Sequence, residues 1–236
     1  ATAARQLAAA SGSPDAARAI VVAPEPEPAA AALAGFVAAV VAVPTAGGAP
    51  PTADAVAGAV AALAAEAAPD VVLLGATPDG RTVAGMLAQR LRQGSLGNAI
   101  AIAWGDGSDG APAGPRVEMS ILGGRTITTS AFADGRGIVT LRPGAVTAEP
   151  QDAPGVVEAG GPAPAPDPRV RVVARADAAV RTASIEEAPI IVCGGRGLGG
   201  PDGVALLASL AEAVGGTVAA TRAAVDAGWL PYDVQV

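Results

Sequence analysis

Histidine and lysine are both absent from the 236 residues, and Cys193 is the single cysteine. With no histidine there is no imidazole base and no imidazole metal ligand, so any chemistry falls to Asp, Glu, Arg, backbone groups or a bound cofactor. One cysteine excludes an internal disulfide and any cysteine-only zinc site. Aromatic residues are equally scarce: two Trp, two Phe and one Tyr. The core must therefore be built from Ala and Val, through close contacts between helices and sheets. Basic residues are few as well, 15 against 22 acidic ones, for a net charge of −7 and a pI near 4.6. An acidic surface attracts neither nucleic acid nor an anionic membrane, which excludes both as partners. No apolar run reaches the roughly 18 uninterrupted residues of a spanning helix. The N-terminus does not resemble a signal peptide, so a cytoplasmic location is expected.

What is present is apolar: a hydrophobic fraction of 51%, with 31 glycines and 21 prolines. That is ample for a core, and 236 residues suggest one large domain or two small ones. All basic residues being arginine, with heavy use of Ala, Gly and Pro, reads as the coding bias of a GC-rich bacterial genome. The chain opens inside a helix, 1–10, stopped by Gly12 and Pro14. An apolar run (19–23), a short helix (29–36) and a β-branched run (37–43) follow, then helical spacing over 53–67. Residues 68–76, APDVVLLGA, form a continuous apolar run of strand length, as in a parallel sheet covered on both faces. The turn TPDGR leads into a helix over 82–92. This alternation predicts an α/β fold with a parallel sheet.

From Ala99 the texture changes to strands without helices, at 99–104, 116–121, 125–131 and 137–142, read as sheet extensions or a meander. Residues 146–168, rich in Pro, Gly and acidic side chains, read as a flexible connector, and 170–174 as a strand. Then comes 188–236, which reads as strand, glycine-rich turn, helix, strand and polar loop. Gly195, Gly197 and Gly200 fit G-x-G-x-x-G directly after a strand and before a helix. Such glycines let the backbone approach a pyrophosphate seated on the helix N-terminus. Three spaced glycines among 31 are a weak signal, equally consistent with a tight turn. A dinucleotide site also expects an acidic residue about 20 positions on. Thr221 and Arg222 hold that place. An arginine there suits a phosphate-bearing cofactor such as NADP, or an anionic ring, better than the ribose of NAD.

The order VCGGRGLGG, a helix, then TVAATRAAVDAGWLPYDVQV resembles the α subunit of electron transfer flavoproteins, with its GGRGL, SRAAVDAG and QVGQTGK segments. VVLLGATPDGRTVAGMLAQRL is similar to that family's strand–TADGR–helix unit, and IVTLRPGAV to its T-x-R-P-G strand. The similarity runs over essentially the whole chain. It implies an electron carrier: a heterodimer with a β subunit, holding FAD mainly in the second domain of α. Electrons would come from acyl-CoA dehydrogenases of fatty acid β-oxidation and other dehydrogenases, and pass to a quinone oxidoreductase at the membrane. By position, Arg196 matches an FAD-contacting arginine, and Thr221 stands where the family has a serine hydroxyl on the flavin. Arg222 matches the arginine beside the flavin ring, where a fixed cation would favour reduced, anionic flavin. Gln235 and Val236 match the start of the loop that closes over the cofactor.

The departures matter too. The chain stops at DVQV, before the family's GQTGK loop and its flavin-side histidine, and lacks the family's first strand and the start of its first helix. A fragment is therefore expected, with an incomplete FAD site. The expected domains are residues 1–177, including the strand at 170–174 returning to the first sheet, and 178–236, the truncated, doubly wound FAD-binding domain. Cys193 is expected to be a buried small hydrophobe, Asp226 a cap or loop brace, and Asp79 and Arg81 structural. Trp229 and Tyr232 are expected to pack the final loop. Against the electron carrier stand an NADP-dependent oxidoreductase using Gly195 to Gly200 and Arg222, and a non-flavin scaffold remnant.

Overall fold

The computed structural model describes residues 1–170, 172–173, 185 and 188–236. The chain divides into two compact units, Ala1–Arg171 and Val172–Val236. In the first, helix α1 (Thr2–Ala10) leads to β1 (Arg18–Ala23), α2 (Glu27–Ala34) to β2 (Ala39–Pro44), α3 (Ala53–Ala67) to β3 (Val71–Gly75), and α4 (Pro78–Leu91) to β4 (Ser95–Gly105). This is the strand and helix alternation predicted from the apolar runs. Thr77 caps α4 by accepting a hydrogen bond from the Gly80 backbone N–H at 3.1 Å. Asp79 and Arg81, beside it, are exposed.

After β4 the chain forms β5 (Gly114–Ile121) and β6 (Thr126–Ala131), which make an antiparallel meander with β4. β7 (Gly137–Leu141) does not extend that meander. It inserts between β3 and β4, parallel to both, giving the order β3-β7-β4-β5-β6. Its sequence, GIVTL, explains why: Gly137 to Thr140 are all buried, which an apolar strand achieves only in the interior of a covered parallel sheet. Thr140, at 2% exposure, accepts a hydrogen bond from the Asn98 N–H at 3.0 Å, satisfying its hydroxyl inside the core.

The stretch 146–168, expected as a flexible connector, is tied down along its length. It contributes β8 (Val156–Ala159), parallel to β2, so that β1-β2-β8 form a second sheet. Gln151 donates to the carbonyls of Ala34 and Val37, the Ala163 N–H donates to the Pro44 carbonyl, and the Asp167 N–H donates to Asp54 Oδ2. Composition misled here because the paired strand itself, VVEA, contains neither Pro nor Gly, although the sequence around it is rich in both. Of the strand expected at 170–174, Arg171 and Ala174 lie outside the described residues, while Val170, Val172 and Val173 belong to no strand and are exposed.

The core is made of small residues, as the shortage of aromatics requires. Ala57, Val60, Val83, Ala84, Leu87 and Ile138 join α3 and α4 to the sheet, and Ala8, Ala30, Ala34, Val37 and Val40 pack α1 and α2 on β1 and β2. Gly58 lets α3 approach Pro164 so closely that an added Cβ would lie 3.1 Å from its ring. β1 pairs only with β2, and β3 only with β7, so each presents one edge without a ladder partner among the described residues. Both strands are apolar yet only half-buried.

Between β4 and β5, the loop GDGSDGAPA is braced by Arg116. Its guanidinium donates to both carboxylate oxygens of Asp109 at 2.7 Å and to the carbonyls of Pro112 and Gly114. The Arg116 hydrogen bonds, with the Ala111 N–H next, hold the Asp109 carboxyl at about 2 rather than 3.8. A lowered folded value stabilises the protein above the unfolded one and is lost as pH falls. We expect carboxylate NMR to titrate Asp109 near 2, with loop stability lost below about pH 4, and Arg116→Gln to return it towards 3.8. For the core, Leu87→Ala should destabilise the first unit by about 2–5 kcal/mol, seen as a lower urea midpoint with unchanged slope.

Candidate functional site

The second unit contains the glycine-rich stretch 188–236. β9 (Ile191–Gly194) passes through a single 3₁₀ turn, Arg196–Leu198, into α5 (Pro201–Ala213), and β10 (Thr217–Ala220) returns parallel to β9. Leu207 and Ala211 bury the inner face of α5. Register places Gly194 opposite Ala220, so both strands end at one level. The loops that follow, Gly195–Arg196 and Thr221–Arg222, therefore emerge side by side, at the carboxyl ends where open α/β sheets bind ligands.

Several contacts fix that juxtaposition. The Thr221 N–H donates to the Gly194 carbonyl at 2.9 Å, and a Cβ at Gly195 would stand 3.2 Å from Thr221 Oγ1. The Thr221 hydroxyl does not cap the short helix α6 (Arg222–Asp226) that it precedes, which leaves it free to accept or donate. Gln235 bridges Ala220 in the parallel sense, and the Val236 N–H donates to the Ala220 carbonyl at 2.9 Å. All five residues singled out from sequence, Arg196, Thr221, Arg222, Gln235 and Val236, thus meet within one end of one unit. Sequence spacing alone could not show the last two joining the first three, since that depends on the final residues adding a third strand position beside β10.

The turn between β9 and α5 needs glycine at defined points. Gly199 has φ 73° and Gly200 φ 154°, a region that side chains disfavour. Cβ atoms added at Gly197, Gly199 or Gly200 would meet nothing within 4 Å, whereas one at Gly203 would collide with the Leu198 carbonyl. Gly203 therefore serves helix-to-turn packing, and the first three leave an open cradle at the start of α5. Arg196, at the start of the same turn, is exposed and has no ion pair among the described residues.

Arg222 is 80% exposed, and its Nε donates to Asp226 Oδ2 at 3.2 Å one turn on. An exposed pair of this spacing contributes about 0.3–0.5 kcal/mol, too little to matter for folding. The i, i+4 spacing in RAAVD was the available signal for it, and it refines the expectation of a cap or loop brace for Asp226. Cys193, expected to be buried, is exposed. Among the described residues its strand has one neighbour, β10, and α5 covers one face, so alternate side chains on the other face are left exposed. Tyr232 is 78% exposed and does not pack the loop, while Trp229 is half-buried.

Two parallel strands joined through a glycine turn and a helix, with polar loops gathered at their carboxyl ends, define the class: half of a doubly wound, nucleotide-binding α/β domain. Comparison with known proteins narrows it. Residues 184–236 match the model of the electron transfer flavoprotein FAD-binding domain, and residues 1–178 that of the electron transfer flavoprotein domain. The α subunits of electron transfer flavoprotein from Mycobacterium leprae and Thermoanaerobacterium thermosaccharolyticum are 36% and 37% identical over 176 and 180 residues, 74% of this chain. Protein FixB of Clostridium saccharobutylicum is 33% identical over 181 residues. In each case the chain spans about half, 52%, of the relative's length. The chain belongs to the electron transfer flavoprotein family, and over 74% of its length it is similar to α subunits of that family.

The two kinds of glycine in the turn should separate on substitution. Gly203→Ala is expected to destabilise by about 1–3 kcal/mol through its clash with Leu198. Gly197→Ala, facing open space, should change stability by no more than an exposed substitution does, about 0.5 kcal/mol. Thermal unfolding of both variants checks this.

Proposed function

We propose that the chain acts as the α subunit of an electron transfer flavoprotein and binds FAD at the carboxyl ends of β9 and β10. The observation that carries this is the open glycine cradle lying beside two exposed arginines in an otherwise acidic protein. The residues present fit the cofactor. Gly197, Gly199 and Gly200 leave space for a pyrophosphate to approach the backbone, and the α5 N-terminus favours the negative charge there. Arg196 would neutralise that phosphate. Thr221 offers a hydroxyl to the ring system, Arg222 places a cation beside it, and Gln235 and Val236 edge the site from their bridge to β10. When bound, the flavin supplies the one- and two-electron chemistry that no side chain here can supply.

The chain's own groups act by placement. Arg222 raises the electrostatic potential where negative charge develops on reduction, and Thr221 and the backbone around Gly195 hold orientation. No proton-transferring side chain is needed, which accords with the lack of histidine. In this reading the protein is an electron carrier rather than an enzyme. It pairs with a β subunit, takes electrons from acyl-CoA and other dehydrogenases, and passes them to a quinone oxidoreductase. A cytoplasmic location belongs to the same reading. Among the described residues no helix is long and apolar enough to cross a membrane.

FAD titration with the β subunit present tests the proposal. We expect a yellow, stoichiometric complex, weakened by Arg196→Ala, and a flavin midpoint potential lowered by Arg222→Ala. NADP binding with no flavin retained would overturn it in favour of an oxidoreductase, and binding of neither in favour of a scaffold.

A further inference from the structure

The pairing of Arg222 with Asp226 has a feature that helix stability does not account for. In α6 the arginine stands at the first position and the aspartate at the last. That order sets the cation at the positive end of the helix and the carboxylate at the negative end, opposite to what favours a helix. The pair is exposed on both sides, so solvent screens it and folding gains little. Ala224, between them in sequence, is buried, so α6 is anchored by its other face while the pair stands outward. The carboxylate engages Nε only, and the two terminal amino groups of Arg222 have no partner among the described residues. An arginine side chain otherwise samples many rotamers, and a carboxylate one turn along the helix selects those that lay the guanidinium along it.

We propose that Asp226 is a positioning residue for Arg222, restraining the guanidinium through Nε so that its terminal N–H groups are presented to the ligand beside Thr221. This rests on the flavin reading of the site for the identity of the ligand, but the restraint itself belongs to the chain alone. Asp226 touches no cofactor in this scheme. It acts by narrowing the set of places the Arg222 charge can occupy. Its own negative charge also offsets part of the arginine's field, so removing it alone has two opposing effects on a bound flavin. The sign of a single substitution is therefore uninformative, and the coupling between the two residues is what reports positioning.

The test is a double-mutant cycle on the full chain, with Arg222→Ala, Asp226→Asn and the pair combined. Two readouts are followed: the flavin midpoint potential of the FAD-loaded protein, and the ¹⁵Nε–H signal of Arg222 by NMR without cofactor. We expect the shift in potential caused by Arg222→Ala to fall to half or less in the Asp226→Asn background. Asp226→Glu should restore most of it. Without cofactor, Asp226→Asn should move the Nε–H signal to the averaged position of a solvent-exposed arginine and speed its exchange with water. Equal potential shifts in both backgrounds, or an Nε–H signal unmoved by Asp226→Asn, would overturn the proposal. If the wild-type chain takes up no FAD, the flavin reading fails by itself, and the NMR signal alone then decides whether Asp226 restrains Arg222.

Discussion

The parallel register that sets Gly194 against Ala220 is the constraint on which the candidate site depends. Because both strands finish at one level, the two loops that leave them share a rim, and residues some 25 positions apart in sequence become neighbours. A slip of one residue would turn every side chain of β10 to the other face and carry Thr221 away from Gly195. What holds the register is modest: four pairs of residues in the ladder, the buried Leu207 and Ala211 of α5, and the Val236–Ala220 hydrogen bond at the far side of β10. The candidate site is positioned by backbone geometry rather than by the side chains of Arg196, Thr221 and Arg222.

The electrostatics follow the same division. A protein with a net charge of −7 repels an anionic cofactor at long range. Binding such a ligand therefore relies on short-range contacts. Screening at physiological salt removes most of the long-range repulsion beyond about 8 Å, whereas a guanidinium or a row of helix N–H groups in contact with phosphate is little screened. Local arrangement outweighs total charge here, and composition alone would have argued the other way.

Much of the first unit was legible in the sequence because its helices and strands carry single, unmixed signals. The run VVLLG and the helical spacing over 53–67 each admit one reading, and both appear as expected. What the sequence did not show was the non-local choice made by GIVTL, which inserts between β3 and β4 rather than extending a meander; an apolar strand says that it is covered, not by which neighbours. The 146–168 stretch was opaque for a different reason. Its interactions run through backbone groups and one glutamine, and these leave no trace in hydrophobic patterning. At the site, the glycines and Arg222 were visible from spacing, while the roles of Gln235 and Val236 came only through family likeness. The exposure of Cys193 could not be foreseen, because a strand's apolar residues are buried only when both faces have something to cover them.

The edges of β1 and β3 that have no ladder partner among the described residues carry a further consequence. Parallel strands normally lie inside a sheet, where they carry no charges to discourage new partners. RAIVVA and VVLLG are such strands, with only Arg18 among them bearing charge. An open edge of this kind is a template on which another copy's strand can grow. The property that lets so aromatic-poor a protein build a core, dense runs of small and branched residues, thus also makes these edges receptive to a further parallel strand.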